Sequence, residues 1–213
     1  MRFTVLLLFS FMSICLSKQV AAQYSKIGFN LSAGKTMSDI RSRTAELTVQ
    51  ESANQGTITY SGGISVLLAK KPNWGILVEP GFYKAKFHSF GGVSLNGSMS
   101  LLSVRVPVQL HYPIPSTPLV LLAGPEIYIP ISAKSKIAGT ETNSLKDIED
   151  YQAGIAIGFA YQAEENLQFS FSYHHNTSRF SRLQFHDADG ELLGSGEAYL
   201  RHFSLSIRYL SPF

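Results

Sequence analysis

Side-chain character alternates residue by residue over long stretches of this chain. In residues 102–112, Leu102, Val104, Val106, Val108, Leu110 and Tyr112 alternate with Ser103, Arg105, Pro107, Gln109 and His111. In 151–162, Tyr151, Ala153, Ile155, Ile157, Phe159 and Tyr161 alternate with Gln152, Gly154, Ala156, Gly158, Ala160 and Gln162. Leu167, Phe169, Phe171 and Tyr173 repeat the pattern, as do Phe203, Leu205, Ile207 and Tyr209 within 198–210. A period of two belongs to β-strands, whose successive side chains point to opposite faces. Weaker alternation at 25–36, 57–69, 74–88 and 118–132 brings the expected number of strands to eight.

The connections alternate as well. Lys70–Asn73, Pro113–Thr117 and Ala163–Asn166 are short, whereas 37–56, 89–97, 133–149 and 178–197 are longer and polar. Long alternating strands with short turns at one end and long loops at the other predict an outer-membrane barrel. The expected fold class is all-β: a closed antiparallel eight-stranded transmembrane β-barrel with periplasmic termini and four longer extracellular loops. Composition agrees. Charged residues are 15 % of the chain, against ~25 % in ordinary soluble domains. No apolar run in the body of the chain reaches the ~20 residues of a membrane-spanning helix. A soluble β-sandwich also alternates, but its strands are usually about 5–6 residues. Trp74, Tyr112, Tyr161 and Tyr209 gather near the short-turn end, where an aromatic belt meets the lipid interface. A formal charge of +3 gives no sign of nucleic-acid binding.

Residues 1–22 read as a signal peptide. Arg2 is the basic start, Phe3–Leu16 is an apolar stretch too short to span a bilayer, and Val20-Ala21-Ala22 predicts cleavage before Gln23. Cys15 follows Ile14, where a lipobox needs a small residue, so lipidation is not expected. Because Cys15 is the only cysteine, the expected barrel domain, 23–213, holds no disulfide. Four prolines, Pro80, Pro107, Pro125 and Pro130, fall inside expected strands. Proline cannot donate to a ladder, so bulges or distorted pairing are expected there.

The segments "VEPGFYKAKF", "SVRVPVQLHY", "VLLAGPEIYIPISA", "YQAGIAIGFAY" and "LQFSFSYHHN" resemble successive strands of the PorT-like family of small outer-membrane β-barrels. Val106-Pro107 and Gly124-Pro125 match prolines at similar strand positions in that family. The resemblance runs from about Gly75 to Phe213. It implies an eight-stranded barrel in an outer membrane of Gram-negative type, and no settled activity. The terminal pattern Phe203, Leu205, Ile207, Tyr209 and Phe213 resembles the carboxy-terminal signal read by the outer-membrane insertion machinery, with Ser211 departing from it.

Inward parity gives the candidate lumen cluster: Glu79, Arg105, Glu126 and Arg208, with the arginine on the fourth strand between two carboxylates. Buried charge must be paired, so a salt-bridged filling of the lumen is expected. In "SYHHNTSRF", His174, His175, Asn176, Thr177 and Ser178 raise a hydrolase reading, but no acidic group stands at fixed spacing to orient a histidine base. Asp187, Asp189 and Glu191 invite calcium, yet the spacing is not that of an EF-hand and Asp189-Gly190 is a hairpin-turn signal. No catalytic residue, metal site or cofactor is expected. The expected partners are outer-membrane lipid, the insertion machinery, and an unidentified protein or surface ligand at the loops, with the barrel a monomer. The alternatives are a lipid hydrolase of the lipid-A deacylase type and a narrow pore.

Deleting Phe213 tests the insertion signal. Burying that ring is worth only ~1.5–3 kcal/mol, so barrel refolded in detergent is expected to keep its heat-modifiable gel shift. The amount assembled in cells is expected to fall sharply. Undiminished assembly would reduce the terminal pattern to strand packing.

Overall fold

The computed structural model describes residues 25–42, 57–71, 73–87, 97–137, 139–186 and 192–212. The expected signal peptide, Phe213, and the Asp187, Asp189 and Glu191 cluster lie outside these residues. The described strands are β1 (Lys26–Ser42), β2 (Thr57–Lys71), β3 (Trp74–Val78), β4 (Gly81–Phe87), β5 (Gly97–Pro113) and β6 (Leu119–Ile137). They continue with β7 (Thr140–Asn143), β8 (Gln152–Glu164), β9 (Leu167–Asn176), β10 (Ser181–His186) and β11 (Leu192–Pro212).

All eleven belong to one antiparallel sheet. β3 and β4 follow each other along the same two neighbours, β2 and β5. β7 and β8 both pair with β6, and β9 and β10 both pair with β11. Each such couple is one interrupted stave, so the wall has eight staves. β1 pairs with β11 from Lys26↔Pro212 to Ser42↔Gly196 and closes the barrel. Closure leaves no free edge across the membrane-spanning part of the wall, the condition for crossing hydrocarbon with strands. Where β1 meets β11 the backbones run very close. A Cβ at Gly28 would stand 1.7 Å from the Tyr209 carbonyl oxygen, so only glycine fits.

The chain's alternation maps onto the wall. On β5, Leu101, Ser103, Arg105, Pro107, Gln109 and His111 are buried, while the residues between them face out. The outward set includes Phe29, Leu31, Ile64, Phe82, Ile127, Ile155, Ile157, Phe169, Leu205 and Ile207, all exposed. Trp74, Tyr112, Tyr161 and Tyr209 face out at the end that carries the short turns, where β1 begins and β11 finishes.

Strands reach further than the alternation predicts. Residues 37–42, 133–137, 140–143, 181–186 and 192–197, expected as polar loop, are paired. Above a hydrocarbon band a ladder needs no apolar face, so the pattern fades before the pairing does. The prolines also distort less than expected. Across Pro80, Pro107 and Pro125 the register runs on without a shift. At the gap between β3 and β4, Glu79 N donates to the Pro107 carbonyl at 3.1 Å, and Ile64 N donates to that of Pro80 at 3.0 Å. The shift falls beside Pro130: Ser103 faces Pro130 but Leu102 faces Ser132. Ile131 is the extra residue, and inward parity moves from Tyr128 to Ala133.

Candidate functional site: the lumen network

The eight staves enclose three layers. Toward the short-turn end, Leu67, Ala69, Leu77, Val120, Leu122, Ala160 and Leu210 form an apolar cluster. Toward the other end, Tyr83, Ala85, Leu101, Tyr128, Ala133, Ile148, Phe180 and Leu200 form a second. Ile148 and Phe180 come from the two interruptions of the wall, 144–151 and 177–180. These segments lie against each other: Glu149 N donates to the Phe180 carbonyl at 3.1 Å, and Ser181 Oγ to that of Asp147 at 2.6 Å. Arg179 pairs with Glu149 and, at 3.6 Å, with Glu197.

Between the apolar layers lies the charged one, in two networks. In the first, Arg208 grips Glu79 with two bonds, Nε to Oε1 at 2.7 Å and Nη2 to Oε2 at 2.9 Å. Its third donor, Nη1, reaches Gln168 Oε1 at 2.9 Å. Gln168 Nε2 lies 3.1 Å from His111 Nε2, and Ser65 Oγ donates to Glu79 at 2.7 Å. In the second, Arg105 holds Glu126 at 3.1 Å. His174 Nδ1 lies 2.9 Å from Glu126 Oε2 and 2.9 Å from Arg105 Nη2, and its Nε2 lies 3.0 Å from Ser204 Oγ. His202 stacks on His174 with ring centroids 4.0 Å apart.

All four residues expected in the lumen are inside it: Arg208 is 2 % exposed, Glu126 1 % and Arg105 9 %. Their partnership differs from the expectation in one respect. Glu79 engages Arg208 rather than sharing Arg105 with Glu126. The register explains it. Glu79 stands beside Pro107, because its N–H bonds that carbonyl, and Glu126 is the register partner of Pro107 on the other side. The two carboxylates thus flank a proline, and the second arginine crosses the lumen from β11.

The network is larger than the four expected residues. His174, one of the residues that raise the hydrolase reading, is buried in the lumen at 2 % exposure. His175 faces out, and Ser178 Oγ instead accepts from Ala153 N at 2.7 Å. His202, Ser204 and Gln168 were missed, though they share inward parity with Arg208 and His174. The serine near His174 is therefore Ser204, a neighbour across the β9–β11 ladder.

The order Ser204, His174, Glu126 is that of a hydroxyl, a base and an orienting carboxylate. Two facts set it apart from a working site. Arg105 competes for the same Nδ1 that the carboxylate would orient. The adjoining space, lined by Ser172, His174, Ser204, Arg105 and Gln109 among others, is about 20 Å³. A water needs ≳10–15 Å³ on that measure, so the space suits about one water and no acyl chain. Among the described residues, no group of three His, Cys, Asp or Glu side chains is arranged to hold a metal ion.

A closed β-barrel with an apolar outside and a charge-paired inside is a transmembrane barrel of an outer membrane. The sequence matches the outer membrane protein beta-barrel domain family over residues 19–181, and the chain belongs to that family. No curated protein matches it. Among solved structures, the Neisserial surface protein A is similar at 14 % identity and TM-score 0.50, covering 85 % of this chain and 96 % of that one. Ail, the attachment invasion locus protein of Yersinia pestis, is 15 % identical with a TM-score of 0.42, covering 86 % and 99 %. OprG from Pseudomonas aeruginosa is 11 % identical with a TM-score of 0.40, covering 89 % and 95 %. At 14 % identity the likeness to the Neisserial surface protein A is one of fold.

Breaking the second network by Arg105→Ala should cost ~3–5 kcal/mol, the loss expected when a buried ion pair keeps only one partner, read from urea unfolding of the refolded barrel. Double-mutant cycles are expected to give coupling of ~0.5–3 kcal/mol for contacting pairs such as Arg208 with Glu79 and Arg105 with Glu126. The crossed pair, Arg105 with Glu79, is expected to couple more weakly. Equal coupling for all three would contradict the two-network description.

Proposed function

We propose that this chain is a monomeric outer-membrane barrel whose lumen is a structural plug. Both termini lie on the periplasmic side, and recognition of a protein or surface ligand belongs to the opposite, long-loop end. The observation that carries this reading is the filling of the lumen. Two apolar layers bracket two neutralised ion-pair networks, and the pocket between Arg105, His174 and Ser204 is about 20 Å³. An eight-stranded barrel is just wide enough for side chains to fill, and the filling seen among the described residues speaks against a pore. The same filling speaks against hydrolysis at Ser204, since a substrate must reach the hydroxyl and its base together.

The long-loop end is favoured for binding because a rigid frame extends into it. β6 and β7 continue as a hairpin beyond the outward apolar residues, and β10 pairs with β11 in the same region. Rigid strands that carry loops past a membrane surface are a common mount for recognition. The short-turn end offers only tight connections. We also assign the chain to the PorT-like barrels within its family, supported by Val106-Pro107 and Gly124-Pro125 in their strand positions. Assembly through the insertion machinery is supported by the outward row Phe203, Leu205, Ile207 and Tyr209.

Purified barrel in planar lipid bilayers, and in detergent with ester-linked acyl substrates, tests this. The expected result is no discrete conductance steps and no acyl release. Steps from every preparation would favour the pore. Acyl release abolished by Ser204→Ala would favour the hydrolase.

A further inference from the structure

The outward face of the barrel changes from apolar to basic within one sector. Along β1 the outward residues run Phe29, Leu31, Ala33 and then Lys35; along β4 they run Phe82, Lys84 and Lys86. All three lysines are exposed. β2 lies between these strands. Its Ile58 is the register partner of Lys35, and its Tyr60 that of Lys84. Both are exposed, at 61 % and 59 %. Neighbouring strands stand ~4.8 Å apart and alternate residues ~6.6–6.8 Å. Lys35 therefore stands about 10 Å across β2 from β4, and Lys84 about 7 Å from Lys86, with an isoleucine and a tyrosine between the cations.

This sector differs from the basic β6–β7 hairpin. There the exposed Lys134 donates to Glu141 at 2.7 Å, and that contact holds the Glu141 carboxyl below its usual range. Lys35, Lys84 and Lys86 are three cations without an ion pair among the described residues. Directly above an apolar surface, they match one kind of ligand: an anion attached to hydrocarbon. Chains would lie on Leu31, Ile64 and Phe82, while phosphate groups would meet the ammonium groups and the Tyr60 hydroxyl at the water boundary.

We propose that Lys35, Lys84 and Lys86, with Tyr60, form a binding site for the phosphate groups of a membrane lipid carrying more than one phosphate. The leaflet rests on the orientation proposed above: with the termini periplasmic, it is the outer leaflet, and the ligand is a phosphorylated glycolipid. The binding chemistry itself does not depend on that orientation. Each lysine near an anionic lipid surface contributes about fivefold to affinity, so the three together should be worth on the order of 100-fold.

The test is native mass spectrometry of the full mature chain in mixed micelles. The probes are a bis-phosphorylated glucosamine lipid, its dephosphorylated counterpart, and inorganic phosphate. The unaltered barrel is expected to retain the phosphorylated lipid on the order of 100-fold more strongly than Lys35→Ala/Lys84→Ala/Lys86→Ala. The dephosphorylated lipid should show no such difference. The triple Lys→Arg variant should keep most of the binding, and Lys134→Ala/Lys136→Ala should keep all of it. Folding of each variant is read from its heat-modifiable gel shift. Equal retention by the alanine variant overturns the site. Displacement of the lipid by millimolar inorganic phosphate overturns the lipid version in favour of a free-anion site. Orientation is read separately, by thiol labelling of Ser116→Cys in the short turn of intact cells. Labelling from outside would overturn the assignment to the outer leaflet and leave the micelle result standing.

Discussion

Hydrocarbon offers a strand no water to replace a missing partner, so a sheet that crosses it must close on itself. The pairing of β1 with β11 follows from this requirement, and so does the close backbone approach at Gly28. Closure then forces the division of side chains. In a wall one strand thick, every second residue must face lipid and every other must face a narrow interior. The outside is apolar by demand of the solvent. The inside is set by volume and by charge balance.

That interior is solved by unequal staves. β1 brings inward Gly28, Asn30, Ser32, Gly34 and Thr36, and β8 brings Gly154, Ala156, Gly158 and Ala160. These small side chains leave room for the long ones from β5, β6 and β11. Arg105 and Arg208 cross that room, and Glu79 and Glu126 neutralise them one for one. Each guanidinium uses several donors, which is the condition under which a buried pair offsets its own desolvation. Replacing the pairs by apolar residues of equal volume could leave stability unchanged. Removing one member alone could not.

Much of this was legible in the sequence because a period of two is a strong signal where lipid and lumen are both demanding. Strand number, parity, the aromatic residues near the short turns and the four lumen charges all follow from it. The signal fails where the demand stops. Above the apolar band, Lys134–Ile137 and Leu192–Glu197 pair as strand with no alternation to show it. Pro80, Pro107 and Pro125 read as breaks, but each costs one donor and leaves the register intact. The stacked histidine pair is invisible in the sequence for a different reason. His174 and His202 sit 28 positions apart, and only the β9–β11 register places their rings together, as partners in one row. Pairing across the lumen, such as Arg208 with Glu79, depends on the barrel's curvature, which no local pattern reports.

The two arginines are held in separate ion-pair networks inside the barrel. Side-chain NMR of ¹⁵N-arginine-labelled barrel in micelles reads this directly. Comparison with Arg105→Lys and Arg208→Lys variants assigns the signals. The account predicts two Nε–H resonances that exchange slowly with water, one perturbed by Glu126→Gln and the other by Glu79→Gln. Rapid exchange at both sites, or an identical response of the two resonances to either substitution, would contradict it.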